Sequence, residues 1–484
     1  MNRHLALRPL VLPALAVLLS TQSLRADEPF DYFRNNWNVI GLKDYERGTR
    51  VTPENRLLLA DGEVRLRFGE KRISLSRKQT KTLLEGWMPV ILIRAEEGPV
   101  RYEFTLWATP LPSVKDWQKA FDWPTEGENY LNWITVKAVN TGAVAAKAAV
   151  TIEVTRKSDS SRHENRWSLP PAATAEAVVR IPFTAASDAA KWADADPRLW
   201  LDRTATYWRG AMAGAARITV PCRKATETLL AAHVCQWIAN DHGVVHGGEG
   251  FYDEFYIRDG AYQVMELEEP GLWDAARKAI DHSLRCQRPD GRFESQADQF
   301  DANGQAVWAL WQFYKISGDR AWLEKAYPQM RRAVDWTRQA RRKAPADSPF
   351  AGVLPVAPAD GEFPWDAKHH IVGYDLWNLR GMLCTADAAR QLGRAEEARR
   401  TEEAAAAYRA AIDAVQKRTG EAHFPPSWEK AGTHWGNTET LWPTELFALD
   451  DPRAVATIHH ARKVLGGGFI EGTIQWLGAK DAIH

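Results

Sequence analysis

The chain has 484 residues, and its 62 basic and 62 acidic side chains give a formal net charge of zero. That length favours two or more domains over a single core. The sequence shows no basic stripe, which argues against a nucleic-acid partner. Its 22 Trp residues exceed what a chain of this length ordinarily carries, and Trp serves both in cores and as a stacking surface.

Residues 1–26 have the layout of a secretory signal peptide. Basic residues in 1–8 precede an apolar run over 9–20, and a polar stretch then ends at Ala26. This order predicts cleavage after Ala26 and a periplasmic or secreted protein. The apolar run is short for a membrane span, so we expect no stable membrane insertion after the signal is removed.

Residues 27–185 predict a β-sandwich domain. Apolar and polar side chains alternate with a period of two, the mark of strands with one buried face. Turn residues such as Asp61-Gly62 and Asn140-Thr141-Gly142 separate these runs. The clearest runs are 64–68, 100–107, 134–139, 150–154 and 178–183. Carboxylates are scattered through this region without a cluster, which favours an accessory role over catalysis.

Residues 186–216 are predicted to link the domains through a helix over 199–210. From residue 217 to 484 the apolar period is helical, with predicted helices over 321–340, 374–392 and 398–417. Gly318 ends one helix and Asp319 caps the next. Such αα-hairpins cannot bury their apolar faces alone, so we expect them to stack as a solenoid or to close into a ring.

The segment 251–261 carries four aromatic residues together with charged pairs. Tyr256 and Glu254 precede Arg258 and Asp259, in a loop that leads into a helix. Aromatic faces can stack on a sugar ring, and an Arg–Asp pair can bind its hydroxyls by charge-assisted hydrogen bonds. These residues therefore predict a carbohydrate site, and the alternative is a structural ion pair in an aromatic core.

The sequence predicts no metal and no other cofactor. No His, Asp or Glu set has metal-ligand spacing, and no phosphate loop or nucleotide fingerprint occurs. The four cysteines are widely spaced and form no metal pattern. Whether Cys222 and Cys235 pair stays open.

The order of a sandwich, a connecting helix and αα-hairpins resembles the bacterial glucoamylase-type proteins of the six-hairpin glycosidase superfamily, in the manner of glycoside hydrolase family 15. The Tyr-Ile-Arg-Asp of 256–259, the segment 300–308 and the Gly-Tyr-Asp-Leu-Trp of 373–377 carry the resemblance, which spans most of residues 30–484. It implies a supersandwich followed by an (α/α)6 toroid. It also implies that Arg258 and Asp259 bind the sugar beside the scissile bond.

This sequence differs from that family in two features. The family's general acid is a Glu that directly follows Gly-Tyr-Asp-Leu-Trp, and here the position holds Asn378, whose amide cannot deliver a proton. We expect the acid in the preceding loop, at Glu362 or Asp360, with Asp366 and Asp375 as further alternatives. The helices after residue 222 number about nine or ten, so the expected toroid is incomplete at its C-terminal end.

The resemblance and the loop residues together predict exo-acting hydrolysis of an O-glycosidic bond of an oligo- or polysaccharide, with inversion. Inversion requires an acid and a base about 6.5–9.5 Å apart. The candidates for the base are Glu471, Glu429 and Glu439. The predicted walls of the sugar site are Tyr256, Trp365, Trp377 and Trp435.

Two other functions stay open. An incomplete toroid that retains the Arg258–Asp259 pair would be a non-catalytic carbohydrate-binding protein. A polysaccharide lyase or epimerase on the same fold would use Tyr374 with His369 or His370 to move a proton.

Overall fold

The computed structural model describes residues 36–186, 189–250, 252–358, 368–432, 435–464, 469–470 and 473–474. An antiparallel β region comes first and a helical region follows, which confirms the order predicted from the sequence. The predicted signal peptide lies outside the described residues. So do Asp360, Glu362, Trp365, Asp366 and Glu471, as well as the side chain of Trp435.

Two antiparallel sheets make up the β region. Its strands are β1 Asn38–Ile40, β2 Thr49–Val51, β3 Leu57–Leu59, β4 Gly62–Phe68, β5 Ile73–Ser74, β6 Thr80–Leu84, β7 Met88–Glu97, β8 Val100–Pro110, β9 Tyr130–Asn140, β10 Ala146–Arg156, β11 Ser160–Leu169 and β12 Thr174–Pro182. One sheet has the order β1-β2-β3-β4-β10-β11, with β5 beside β4, and the other has the order β12-β9-β8-β7-β6. Near the end of the chain, β13 Phe469–Ile470 pairs with β14 Thr473–Ile474.

Apolar and polar residues alternate along these strands because every second side chain packs into a core shared by the two sheets. Along β8, Tyr102, Phe104 and Leu106 are buried while the residues between them are partly exposed. The two sheets meet through these side chains. The ring of Tyr102 lies 5.4 Å from that of Phe68 in the other sheet, and its hydroxyl accepts a hydrogen bond from the Ala149 amide at 3.3 Å.

The helices are α1 Trp117–Asp122, α2 Pro197–Met212, α3 Arg223–Ala239, α4 Ile257–Glu268, α5 Trp273–Arg285, α6 Asp301–Ser317, α7 Arg320–Ala340, α8 Val372–Gln391, α9 Ala395–Thr419 and α10 Pro452–Val464. Short 3₁₀ turns occupy Glu126–Glu128, Ala189–Trp192 and Trp435–Thr438. Among the described helices, none combines the length and apolar character needed to cross a bilayer.

Local sequence signals place several helix ends correctly. Gly318 ends α6 in the left-handed conformation, with φ of 67°, and the Asp319 side chain caps α7 by accepting a hydrogen bond from the Trp322 amide at 2.9 Å. The helix predicted over 199–210 lies within α2. Cys222 and Cys235 are both free thiols, so they do not pair in this structure.

Helix α6 packs between α4 and α8, and this arrangement brings backbones into contact. A Cβ atom on Gly304 of α6 would lie 2.1 Å from the carbonyl oxygen of Trp377 in α8. A helical apolar period predicts one buried face, but every residue of α6 from Asp301 to Trp311 is buried. Helices α4, α5, α7 and α8 all contact α6, and the pattern within one helix does not show how many others pack around it.

Replacing Gly304 with Ala should lower the free energy of unfolding by about 3 kcal/mol, since the added methyl group forces α6 away from α8. Gly210 in α2 is the matched control, because a Cβ atom there meets nothing within 4 Å. Gly210→Ala should leave the protein unchanged or stabilise it by up to about 1 kcal/mol. Urea unfolding measures both, and equal stabilities for the two variants would contradict the close packing.

Candidate active site

The N-terminal parts of three neighbouring helices lie around one carboxyl group. Arg258 lies in the first turn of α4, Asp301 begins α6, and Trp377 lies in the second turn of α8. The 3₁₀ turn at Trp435–Thr438 leads directly to Glu439, whose carboxyl group accepts a hydrogen bond from Trp377 and is acted on by the charges of Arg258 and Asp301. Residues from four separate parts of the chain therefore form one site.

Glu439 is nearly enclosed by protein. The residue is only 7% exposed. Its Oε1 accepts a hydrogen bond from the Tyr262 hydroxyl at 3.4 Å, and its Oε2 accepts one from the indole N–H of Trp377. The hydroxyl of Thr444 donates to the backbone carbonyl of Glu439, which fixes the loop that carries the carboxyl group.

Burial raises the pKa of Glu439 to about 8, because the enclosed site disfavours the charged form. The negative charge of Asp301 acts in the same direction. The hydrogen bond from Trp377, the charge of Arg258 and the hydrogen bond from Tyr262 oppose the shift without cancelling it. At neutral pH the carboxyl group therefore carries a proton, held beside groups that would stabilise its anion.

Four aromatic rings, which we call the aromatic row, run from the surface to this carboxyl group. Trp442 is 59% exposed, whereas Trp377 is 1% exposed. Between successive members, the ring centroids are 5.7 Å apart for Trp442 and Tyr262, 5.8 Å for Tyr262 and Trp308, and 5.7 Å for Trp308 and Trp377. The outer members offer a stacking surface close to Glu439.

The predicted Arg–Asp pair lies beside the same carboxyl group. The Nε atom of Arg258 is 3.7 Å from Oδ2 of Asp259, and the Arg258 side chain is 13% exposed. Just before α4, the Tyr256 hydroxyl donates to Glu254 at 3.5 Å, in an exposed position. The charges of Arg258 and Asp259 both act on the Tyr256 hydroxyl, so these four predicted residues are neighbours.

Asn378 lies where the sequence resemblance implied a catalytic acid, but its side chain is bonded to α6, α7 and α8 and not to Glu439. Its Oδ1 accepts hydrogen bonds from Asn303 at 2.8 Å and from Thr337 at 2.9 Å. Its Nδ2 donates to the backbone carbonyls of Phe300 at 2.7 Å and Tyr374 at 2.8 Å. With these four bonds and 1% exposure, Asn378 is a structural residue.

Asp375, considered as an alternative acid, is also structural. It is fully buried and accepts hydrogen bonds from the Trp428 indole at 2.7 Å, the Leu354 amide at 2.9 Å and the Tyr408 hydroxyl. Burial raises its pKa to about 6. These three bonds join α8 to Tyr408 of α9 and to the segments that carry Leu354 and Trp428, so the carboxyl group holds α8 to its neighbours.

Glu429 is paired with a histidine. Its carboxylate accepts hydrogen bonds from the ring and the backbone N–H of His370. Burial alone would raise the pKa of Glu429, but the bonds from His370 lower it below its usual value. Tyr374, the proposed partner of His370 in a lyase, donates to the Pro358 carbonyl at 2.9 Å and is 1% exposed. These contacts favour structural roles for Tyr374 and His370.

One group of potential metal ligands appears that the sequence spacing did not predict. Asp241, His246 and Asp253 bring one ligand atom each within 4.8 Å of the others. Burial and the neighbouring Asp253 raise the pKa of Asp241 to about 8. The loop between α3 and α4 brings these residues together, so their separation along the chain gives no regular motif.

The sequence did not single out Tyr262, Trp308 and Trp442 as site residues. Weak signals in the sequence could have identified two of them. Tyr262 lies four residues after Arg258 and so shares its helix face, and Trp442 follows Glu439 by three residues. Trp308 lies in a segment already noted for its resemblance, with no sign that its ring faces the site.

Two substitutions should move the pKa of Glu439 in opposite directions. Tyr262→Phe removes a donor that favours the anion, so the pKa should rise above 8. Asp301→Asn removes a repelling charge, so the pKa should fall. The measurement is a carbon-13 carboxyl NMR titration, with the Glu439 resonance assigned from Glu439→Gln.

Tyr314→Phe is the control, because the Tyr314 hydroxyl donates to Gln391 rather than to Glu439. It should leave the titration unchanged. A shift of the same sign in both test variants would contradict the electrostatic account.

The chain shares its fold with a bacterial glucoamylase whose structure contains acarbose. The two superpose with a TM-score of 0.57 at 10% identity, over 88% of this chain and 78% of the glucoamylase. An α-L-rhamnosidase from Dictyoglumus thermophilum superposes with a TM-score of 0.36 at 11% identity, over 71% of this chain and 41% of the rhamnosidase. An inverting mannosidase of family GH92 from Bacteroides thetaiotaomicron superposes with a TM-score of 0.33 at 11% identity, over 78% of this chain and 62% of the mannosidase. Both superpositions are too loose to support an inference. No protein-family model and no curated protein matches the chain. The structure therefore has a glucoamylase-like fold.

Proposed function

We propose that this protein is a glycoside hydrolase that cleaves an O-glycosidic bond of an oligo- or polysaccharide, with Glu439 as its general acid. One arrangement carries the proposal: Glu439 lies at the inner end of the aromatic row, in a buried position that raises its pKa to about 8. A general acid must hold a proton that it can give to the departing oxygen. The sequence suggested Glu439 only as a base, and its raised pKa suits the opposite role.

The surroundings of Glu439 fit proton delivery. While the acid is neutral, burial and Asp301 keep the proton in place. When the proton leaves, Trp377 and Tyr262 donate hydrogen bonds to the new carboxylate, and the charge of Arg258 stabilises it. These groups are already oriented before the reaction, so little reorganisation is required when the charge forms.

The remaining residues would hold the sugar. Trp442 and Tyr262 present ring faces on which a pyranose can stack, and the Arg258–Asp259 pair can bind its hydroxyls. The second carboxylate is predicted to be Glu471, and Glu362 and Asp360 remain candidates for a catalytic role. The shared fold with a glucoamylase supports this assignment of a saccharide substrate.

The finer features belong to the same proposal. We infer exo-acting, inverting hydrolysis by a supersandwich joined through residues 186–216 to an (α/α)6 toroid. Residues 1–26 would direct the protein to the periplasm or the medium. The resemblance in the sequence supports the mechanism and the toroid, and the basic and apolar layout of residues 1–26 supports export.

Glu439→Gln should lower the rate of oligosaccharide hydrolysis by about 10²- to 10⁴-fold, because the amide cannot donate the proton. Binding of acarbose, measured by calorimetry, should persist, since the shape of the side chain is kept. In the wild type the rate should fall as the pH rises through 8 and Glu439 ionises. Polarimetry on a panel of glycans would report the stereochemistry.

Glu445→Gln is the matched control, six residues further along the same loop. Its side chain is 60% exposed and pairs with Arg380, so hydrolysis should be unchanged. Full activity of Glu439→Gln would contradict the proposal. Oligosaccharide binding by a wild type that hydrolyses no glycan would favour the non-catalytic alternative, and an unsaturated product that absorbs in the ultraviolet would favour a lyase.

Asn378→Glu recreates the family's sequence pattern and should still not supply an acid. The new carboxyl group would lie between the carbonyls of Phe300 and Tyr374, where Nδ2 now donates. Loss of these bonds and burial of an acid should lower the melting temperature. The variant combined with Glu439→Gln should stay inactive, and recovered hydrolysis would show that residue 378 reaches the substrate.

A further inference from the structure

Two histidine rings stack where α10 meets the segment 421–428, which follows α9. The ring centroids of His423, in that segment, and His460, in α10, lie 3.7 Å apart, and the two planes are inclined by only 13°. The His423 side chain is 13% exposed, so the contact is largely withdrawn from water. Imidazole is the side chain that titrates near neutral pH, and a change of charge on either ring therefore acts on this contact.

The stack lies next to hydrogen bonds that connect α10 with the turn before Glu439. The amide of Phe424, which follows His423, donates to the hydroxyl of Thr457 in α10 at 2.9 Å. The carbonyl of Phe424 accepts a hydrogen bond from Nδ2 of Asn437 at 2.8 Å. Asn437 belongs to the 3₁₀ turn that leads to Glu439. Phe424 is thus the point at which α10, the segment 421–428 and this turn meet.

The groups at this meeting point are buried. Phe424 and Thr457 have no exposed surface, and Asn437 is 6% exposed. The Phe424 ring also lies 4.9 Å from that of Phe447, beyond Glu439 in the chain. Moving α10 away from the segment 421–428 would break hydrogen bonds of buried groups, which carries a free-energy cost. A repulsion between the two histidines would work directly against these bonds.

The charged groups around the stack come from three elements. Oε2 of Glu421, in the same segment, lies 3.8 Å from Nδ1 of His423. From α9, the neutral side chain of Gln416 donates to the His423 carbonyl at 3.4 Å. His459, adjacent to His460 in α10, is exposed. Further charged side chains of these elements form ion pairs, which are Lys430 with Glu421 at 3.6 Å, Arg453 with Asp413 at 2.6 Å and Arg453 with Asp451 at 2.9 Å.

This environment accepts one proton more readily than two. Burial and the neighbouring His460 hold the pKa of His423 below its usual value of 6.5, although the charge of Glu421 acts to raise it. A single positive charge on the stack faces Glu421. A second one would place two like charges on rings that are 3.7 Å apart, and they would repel each other in a partly buried place.

We propose that the His423–His460 stack is a pH-sensitive contact that loosens α10 and the turn before Glu439 as the pH falls below about 6. A histidine released from the stack regains its ordinary pKa and so binds a proton more readily than it does in the stack. The contribution of the stack is therefore complete above the ordinary value of 6.5 and is lost as the pH falls below it.

The test measures hydrogen–deuterium exchange of the full-length chain at about pH 7 and about pH 5, with rates corrected for intrinsic exchange. Peptides that cover 435–447 and 452–464 should exchange about tenfold faster at the lower pH, because these segments open locally. Strand β8, at Val100–Pro110, is the internal reference and should show no such change.

Matched variants assign the effect to the stacked rings. His460→Phe keeps an aromatic ring for stacking but cannot be protonated, so the acceleration should disappear, and His423→Phe should act in the same way. His459→Phe is the control, since it makes the same substitution at the exposed neighbour and should retain the acceleration. Melting temperatures at neutral pH show that each variant is folded.

Three results would overturn the proposal. They are equal exchange of these peptides at both pH values in the wild type, acceleration that persists in both His460→Phe and His423→Phe, and an equal acceleration in strand β8. The readout does not depend on hydrolysis. Loosening that requires both histidines would support the proposal even in an inactive protein, and its absence would leave the role of Glu439 as an acid untouched.

Discussion

The backbone contact between α6 and α8 at Gly304 is the constraint on which the candidate site depends. It sets the distance between α6 and α8 and therefore the positions of Asp301 and Trp377 relative to each other. Trp377 donates a hydrogen bond to Glu439, and the charge of Asp301 acts on the same carboxyl group. Asn378 strengthens the same contact through its bonds to Asn303 and Thr337. The resemblance in the sequence implied a catalytic acid at this position, but Asn378 serves packing here.

The chemistry of Glu439 follows from a balance of environments rather than from a motif. Burial and Asp301 favour its neutral form, whereas Trp377, Tyr262 and Arg258 favour its anion. The first group prevails, so the pKa of Glu439 is raised to about 8 although donors to its anion are in place. Asp375 shows the contrast, because it is equally buried but accepts three hydrogen bonds, from Tyr408, Trp428 and Leu354, and its pKa is raised only to about 6. A carboxyl group with a shifted pKa can belong either to a functional site or to a structural network, and its neighbours distinguish the two cases.

The loop between α3 and α4 connects the helical region to the β region. The Gly48 amide donates a hydrogen bond to Glu249 at 2.7 Å, and the Arg50 guanidinium lies against the backbone of Gly250. The same loop brings Asp241, His246 and Asp253 close together.

Local patterns in the sequence were sufficient to predict three features: the order of the β and helical regions, the strand at Val100–Pro110 and the end of a helix at Gly318. These features depend on side-chain periodicity and on backbone conformations that a few neighbouring residues determine. The Arg258–Asp259 pair was also recognisable, because adjacent charges in an aromatic segment stand out. The proposed proton donor was not, since the pKa of Glu439 depends on groups from three other segments, α4, α6 and α8. Only the tertiary structure decides which side chains share a low-dielectric space, because burial and charge act through distance in space and not along the chain.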